Sequence, residues 1–346
     1  MNRRIKLLLI VFIAIVSAIA FFGYGFYKKL YLPNVTAKEE TDNFLLIPTG
    51  SSFEELTKQL EQKNILKDIY SFKWAAEQAD YPANIKAGRY RIRNGMSNKA
   101  LIRLLKSGQQ EPVKVVFNNI RLKEQLAGII SRQIEADSIS IIGLLNDSKY
   151  LETLGYNPNN IVSLFIPNTY EFYWNTSATG FVERMQKEHQ KFWNERRQTL
   201  LRRTGLTITE VSILASIVEQ ETKKTDEKPV VAGVYLNRLR KDWNLEADPT
   251  LIFATRDFSA KRVLNIHKEV DSPYNTYRNP GLPPGPICIP SIASLDAVLN
   301  YKEHQYMFFC AKDDFSGYHS FARTYQEHLV NARKFQNELN RRKIRA

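Results

Sequence analysis

Two carboxylates, Glu219 and Glu221, close a segment that opens with Thr207-Ile-Thr-Glu-Val211 and ends at Thr222. Its threonines are competent to cap a helix. Val211, Leu214, Ala215 and Val218 then recur at helical spacing and form one stripe, with Glu219 as the next inward-leaning position. A carboxylate at the end of an apolar stripe is costly unless it is exposed, paired or functional. Desolvation by those neighbours raises its pKa and keeps a proton ready for donation near neutral pH, which is what a general acid requires. Glu221 lies about 200° further round the helix and is expected to be solvated. The plain alternative for Glu219 is a last-turn surface glutamate.

The elements that must hold this helix are spread over a chain of 346 residues, enough for two or three domains. A hydrophobic content of 43% with 25% charged residues is ordinary for a globular protein and excludes disorder, collagen and low-complexity fibre. The mean hydropathy of −0.36 and a single long apolar run exclude a polytopic membrane protein. Two cysteines and five histidines without ligand spacing give neither a disulfide scaffold nor a multi-cysteine zinc site, so no metal and no cofactor is implied. The net charge is +13, and +8 remains once Arg3, Arg4, Lys6, Lys28 and Lys29 around the apolar run are set aside. That surplus suits an acidic partner such as nucleic acid, anionic lipid or an anionic wall polymer.

From Leu7 to Phe26 there are 20 residues without a charge, enough for a helix to cross a hydrocarbon core. Arg3, Arg4 and Lys6 precede the run and favour a cytoplasmic N-terminus, whereas Lys28 and Lys29 behind it count the other way. Ala18-Ile19-Ala20 offers a cleavage site, but the run continues through Phe21, Phe22 and Tyr24, which favours an uncleaved anchor. The expectation is a cytoplasmic N-terminus at 1–6, a transmembrane anchor at 7–27 and a polar tether at 28–43. The remainder would lie outside the cytoplasm, as in a single-pass protein of the cell (inner) membrane. Export and the lack of any nucleic-acid motif argue against a nucleic-acid partner. In that compartment Cys288 and Cys310 could pair; two small buried side chains that never meet is the slightly favoured alternative.

Two similar segments come next, 45 residues apart: Ile47-Pro-Thr-Gly50-Ser-Ser52 running to Leu60, and Ile92-Arg-Asn-Gly95-Met-Ser97 running to Leu105. Each reads as a short strand, a glycine turn, a serine cap and an amphipathic helix, with Ser52 and Glu55 at capping-box spacing. A weaker third copy starts at Val115. Such units resemble LysM-like modules, which bind N-acetylglucosamine polymers, although an economical packing unit explains them equally well. This gives a LysM-like domain at 44–110 and a connecting α/β region at 111–205, in which Phe181 to Arg203 reads as one long basic helix. Residues 273–291 are too rich in Pro, Gly and Tyr for regular structure, and a stretch of that kind usually lines a site. A basic helix, Tyr325 to Arg345, ends the chain.

The stretch ILASIVEQET (213–222) resembles the signature of the endolytic murein transglycosylase, or YceG-like, family. The resemblance continues in order through VAGVYLNRLRK (231–241), LEADPTLIFA (245–254), SPYNTYRNPGLPPGPI (272–287) and GYHSFARTYQEHLVNARKF (317–335). It implies an α+β protein: the transmembrane helix, the small LysM-like α/β subdomain, then a mixed α/β YceG-like catalytic domain at 206–346. It also implies a lyase acting on peptidoglycan. In that family one glutamate protonates the β-1,4 oxygen between N-acetylmuramic acid and N-acetylglucosamine, then takes the proton of the muramic C6 hydroxyl as a 1,6-anhydro ring closes. Cutting nascent strands in this way would terminate their elongation. The match places that glutamate on Glu219. The family's EGYLFPDTY-like stretch is Val162-Ser-Leu-Phe-Ile-Pro-Asn168-Thr-Tyr170 here, so Val162 and Asn168 replace its two acidic residues.

Substrate-binding candidates come from the matched motifs. Asn237 and Arg238 could orient Glu219 or bind sugar amides; Arg238 could equally pair with Glu246 or Asp248. Asp248 and Thr250 sit in a matched turn where Asp248 also reads as a helix cap. Tyr274, Asn275 and Tyr277 combine ring faces with hydrogen-bonding groups, as sugar binding requires, and His319 could meet an acetamido or lactyl group or support one that does. The implied partners are peptidoglycan glycan strands and peptidoglycan synthases of the same membrane. The alternatives are a muramidase-type hydrolase, needing a second acid such as Glu221, Asp248 or Glu171, and a noncatalytic wall-binding scaffold.

Overall fold

A computed structural model describes residues 3–36, 43–260 and 263–342, so part of the expected tether (37–42) lies outside the described residues. Two compact units are present. The first comprises 1–114 with 133–135 and 171–176, and the second comprises 115–132, 136–170 and 177–346.

The first unit begins with α1 (Arg3–Tyr31), long and apolar enough to cross a membrane and with no buried residue. Its C-terminal end packs against the rest of the unit. Phe26 meets Trp74 edge-to-face at 5.3 Å, and the Lys29 ammonium stands 4.9 Å from the same ring. The described part of the expected tether is built into the unit. Pro33 and Val35 bridge to Ser97 and Leu66, and Val35 is fully buried. The Asn34 amide donates to Asp68 O at 2.8 Å and Asn98 Oδ1 at 2.7 Å, and its oxygen accepts from Asp68 N at 2.8 Å.

After this come β1 (Phe44–Ile47), α2 (Phe53–Gln62), α3 (Ile69–Gln78), β2 (Gly88–Arg91) and α4 (Asn98–Ser107). β1 and β2 pair antiparallel with Leu45 opposite Tyr90. Their buried side chains join Leu56, Leu60, Phe72, Leu101 and Leu105 in one core. The repeated residues explain themselves. Gly50 and Gly95 occupy left-handed turns, φ +80° and +77°, and Ser52 and Ser97 cap α2 and α4. In the weaker third copy, β3 (Val113–Phe117) and α5 (Lys123–Ile130), Leu122 at the cap position forms no side-chain cap.

The second unit continues with α6 (Ser138–Leu144), α7 (Ser148–Thr153), β4 (Asn168–Phe172), which pairs with β3, α8 (Ala178–Phe192) and α9 (Glu195–Thr204). The single helix expected over 181–203 is therefore two. Asn194 caps α9 through Arg197 N, and the chain turns at Trp193, whose indole N–H reaches His189 Nε2 at 3.1 Å. Then come α10 (Ile208–Glu221), α11 (Lys228–Leu239), α12 (Asp248–Thr255), α13 (Ile292–Leu299), the antiparallel hairpin β5 (Phe308–Ala311) and β6 (His319–Ala322), and α14 (Tyr325–Arg341). α10 is the pivot. It packs on α11, α12 and α13, and every residue from Val211 to Val218 is buried. Residues 273–291 form neither helix nor strand and line α10, where Ile287 N donates to Ser216 Oγ at 3.0 Å. Cys288 and Cys310 are both free.

Candidate active site

The last turn of α10 leaves the core with its two carboxylates pointed at different surroundings. Glu219 Oε2 accepts from Lys228 Nζ at 3.0 Å, from the Ser291 hydroxyl and N–H at 2.5 and 3.3 Å, and from the Ser294 hydroxyl at 2.5 Å. Burial works to raise its pKa, but the hydrogen bonds from Ser291, Ser294 and Lys228, with the lysine's charge, hold it below the ordinary carboxylate value. The expectation of a raised pKa is thus reversed. The reason is the partners: the cap serine of α13 and a lysine, itself buried, at the start of α11. Glu219 ties three helices together through an ionised oxygen.

Glu221, expected to be solvated, is the perturbed group. Tyr235 on α11 donates to its Oε1 at 2.5 Å. Burial is the main cause that pushes its pKa up to about 7; the Tyr235 bond opposes this, the negative charge of Asp248 adds to it, and Arg238 opposes it. Asp248 opens α12, following Ala247 at the cap position, and accepts from the Tyr277 hydroxyl at 2.6 Å. Burial, followed by that bond, keeps the Tyr277 phenol protonated far above neutral pH. The arrangement is a carboxylic acid poised to gain or lose a proton near pH 7, beside a second carboxylate, with a tyrosine on each. It can donate a proton to a leaving oxygen and take one back.

The other expected contact residues divide by location. Arg238 is buried and holds the backbone: its guanidinium donates to Met307 O and Leu245 O, both at 2.8 Å, and pairs with Glu246 at 3.1 Å. The Asn237 amide donates to His304 O at 2.8 Å and Tyr306 O at 3.0 Å. Thr250 and Asn275 have no exposed surface. Thr250 Oγ1 bonds Ala247 O, and the Asn275 amide bonds Lys268 O and Val270 O. In this structure the side chains of these four bond mainly to the surrounding backbone. Tyr274 and Tyr277 remain partly exposed, with Tyr274 packed at 4.7 Å on Phe253. His319 Nδ1 lies 2.8 Å from Glu227 Oε2, the backbone N–H of His319 donates to Glu227 Oε1 at 2.7 Å, and the imidazole ring meets Phe309, which in turn meets Tyr235. Val162 is buried in a 3-10 turn (Ile161–Leu164), and Asn168 bonds the next backbone N–H.

Sequence reading missed Tyr235, Lys228, Glu227, Ser291 and Ser294. Only Ser291 and Ser294 carried a signal, the pair of serines at capping distance before an apolar run. Among the described residues no group of three His, Cys, Asp or Glu could hold a metal ion.

The YceG-like family model matches residues 45–334. Two relatives from Streptococcus pneumoniae strains, each named endolytic murein transglycosylase, are 26% identical over 360 residues, taking in 95% of this chain and 64% of theirs. The chain thus spans less than two thirds of their length. A relative of the same name from Bacillus subtilis is 27% identical over 334 residues, 92% of this chain and 91% of its own. A 2.6 Å crystal structure of a YceG-like protein from Listeria monocytogenes is similar with a TM-score of 0.55 and 26% identity, over 83% of this chain and 97% of that one. With a match reaching from the first strand to the last helix, the chain belongs to the YceG-like family.

Proposed function

We propose that this chain is a membrane-anchored endolytic lytic transglycosylase that cuts nascent peptidoglycan between N-acetylmuramic acid and N-acetylglucosamine and so terminates strand elongation. Glu221 is its acid and base. The observation that carries the reading is the Glu221 carboxyl, raised to about 7 and held by Tyr235 beside Asp248 and Tyr277. Protonated Glu221 gives its proton to the glycosidic oxygen as the muramic C1–O bond breaks. The resulting carboxylate takes the proton of the C6 hydroxyl as O6 closes on C1, leaving a 1,6-anhydro end and the acid restored. No second catalytic carboxylate is required, because the substrate supplies its own nucleophile. Glu219 is the weaker candidate, since an oxygen with four donors and a depressed pKa is a poor proton source.

The β-α-α-β order of the first unit, with its antiparallel strand pair, supports reading it as the LysM-like, glycan-binding part of the chain. α1 is read as an uncleaved anchor with Arg3 and Arg4 on the cytoplasmic side. The Asp248 carboxylate supports a second reading, a hydrolase in which Asp248 directs a water.

The test uses the full chain in detergent on uncrosslinked glycan strands, with mass spectrometry of the new ends. Ends lighter by one water, reduced about 10²–10⁴-fold in Glu221→Gln and retained in Glu219→Gln, are expected. Ordinary reducing ends would favour the hydrolase. Retention in Glu221→Gln with loss in Glu219→Gln would return the role to Glu219.

A further inference from the structure

The uncharged run of α1 ends at Phe26, and the helix continues to Tyr31. Five residues at helical rise cover about 7.5 Å, close to the depth of the headgroup layer on one side of a bilayer. Whatever packs on this last turn and a half shares that layer. Two elements of the first unit do so. On one side Trp74 of α3 meets Phe26 edge-to-face, and the Lys29 ammonium stands over the same ring. On another, Tyr27 and Tyr31 stack at 5.2 Å. Lys99, at the start of α4, donates to the Tyr31 hydroxyl at 3.0 Å, with its ammonium 4.6 Å from the ring centre. Leu30 packs on the core of the unit between them.

Exposure and composition single out this face. Tyr70, one turn before Trp74 on α3, is 80% exposed, and Tyr27 and Tyr31 are 50% and 45% exposed. Aromatic rings with a polar tip suit a membrane interface, where the ring body meets the acyl boundary and the hydroxyl or indole N–H meets headgroups. Lys28, Lys29 and Lys99 are exposed on the same collar, and their stems are long enough to carry the ammonium to a lipid phosphate. Glu77, a turn beyond Trp74, is an exposed acid on that side of α3 and leaves the positive sign in excess. We infer that this collar docks the first unit on the headgroups of an anionic bilayer. It consists of the end of α1, Tyr70 and Trp74 of α3, and Lys99 of α4. The inference rests on reading α1 as the anchor. It adds the face of the first unit that meets the membrane and the lipid charge that this face prefers. Lys29 and Lys99 set the preference, because each is laid against an aromatic ring at headgroup depth and is already in place for a phosphate.

The experiment reconstitutes the full chain into vesicles of phosphatidylcholine and phosphatidylglycerol in equal parts. Spin-labelled lipids of each class report the fraction held at the protein surface. Phosphatidylglycerol is expected to be favoured about threefold or more, and molar NaCl should bring the ratio close to one. Lys29→Gln with Lys99→Gln should remove most of the preference, although Lys28 and the basic residues ahead of the apolar run remain. No preference in the unaltered chain, or one that neither salt nor the paired substitution reduces, would overturn the inference. The position of the face is read without those variants, from quenching of Trp74 by a nitroxide on the lipid headgroup. Trp74→Phe serves as the blank for the other three tryptophans. Strong quenching is expected, and a Trp74 signal that the nitroxide leaves untouched would overturn the docking. Release of the chain from the vesicles by alkaline carbonate would sink the anchor reading together with this one. Retention with Trp74 unquenched would sink this one alone.

Discussion

At the scale of single residues, the two glutamates of α10 titrate in opposite directions, and each direction has a measurable consequence. In the proposed role Glu221 acts in its protonated form, and with a pKa of about 7 kcat/KM should fall about tenfold per pH unit above neutrality. Asp248→Asn removes a negative charge that raises Glu221 and should move that limb to lower pH. Tyr235→Phe removes a hydrogen bond that lowers it and should move the limb to higher pH. A pH–rate profile that neither substitution shifts would separate the limb from Glu221. For Glu219 the sign is the reverse. A depressed carboxylate contributes stability above its unfolded-state pKa, and loses it as pH falls through the folded-state value. Glu219→Gln, which leaves buried Lys228 without its counter-charge, should therefore cost about 3 kcal/mol in urea unfolding at pH 7 and progressively less below pH 4. A cost independent of pH would contradict the ion pair. Spacing alone could not rank the two glutamates. The reading assumed a helix with one apolar stripe, but α10 is buried on every side along Val211–Val218. Which carboxylate meets a tyrosine and which a lysine then depends on Tyr235, Asp248 and Ser291, brought in from other elements.

At the scale of elements, local signals were legible wherever a single residue type was obligatory. The glycine turns and serine caps of the first unit, and the Thr207 cap of α10 with its Glu210 capping box, can be read directly from sequence. The division of 181–203 was hidden because its amphipathic pattern continues across Trp193 while the Asn194 cap interrupts the backbone. In the irregular stretch 273–291, composition showed the breakers but not what they approach. Gly285 is the informative position: a Cβ there would collide with the Asn159 carbonyl and press on the Tyr274 hydroxyl. Gly285→Ala should cost about 1–3 kcal/mol by forcing backbone apart. It should also lower activity if Tyr274, partly exposed, meets the sugar as expected from its motif. The same substitution at Gly281, where φ is +80° and no atom lies within reach, should cost about 1 kcal/mol through backbone strain alone. Equal effects at both positions would show that packing at Gly285 is not the cause.

At the scale of the molecule, the first unit is joined to its apolar helix without slack. α1 runs to Tyr31, and within five residues the chain has bridged to Ser97 and Leu66 and buried Asn34 among Asp68, Ser71 and Asn98. If α1 is the anchor and the first unit holds glycan as proposed, the strand it holds is kept at a fixed height on the membrane. A ten-residue Gly/Ser linker inserted between Tyr31 and Leu32 adds a flexible span of about 17 Å r.m.s.. It should broaden the length distribution of strands grown and cut in vesicles and shift it upward, with the rate on detached strands unchanged. Asn98→Ala should act through the same joint. Removing the side chain that bridges Asn34 Nδ2 and Lys29 O leaves buried polar groups unpaired, at about 1–3 kcal/mol, and the distribution should broaden without the upward shift. An unchanged distribution in the linker variant would mean that the cut position is set elsewhere, by the length of glycan between the subsites rather than by the distance to the bilayer.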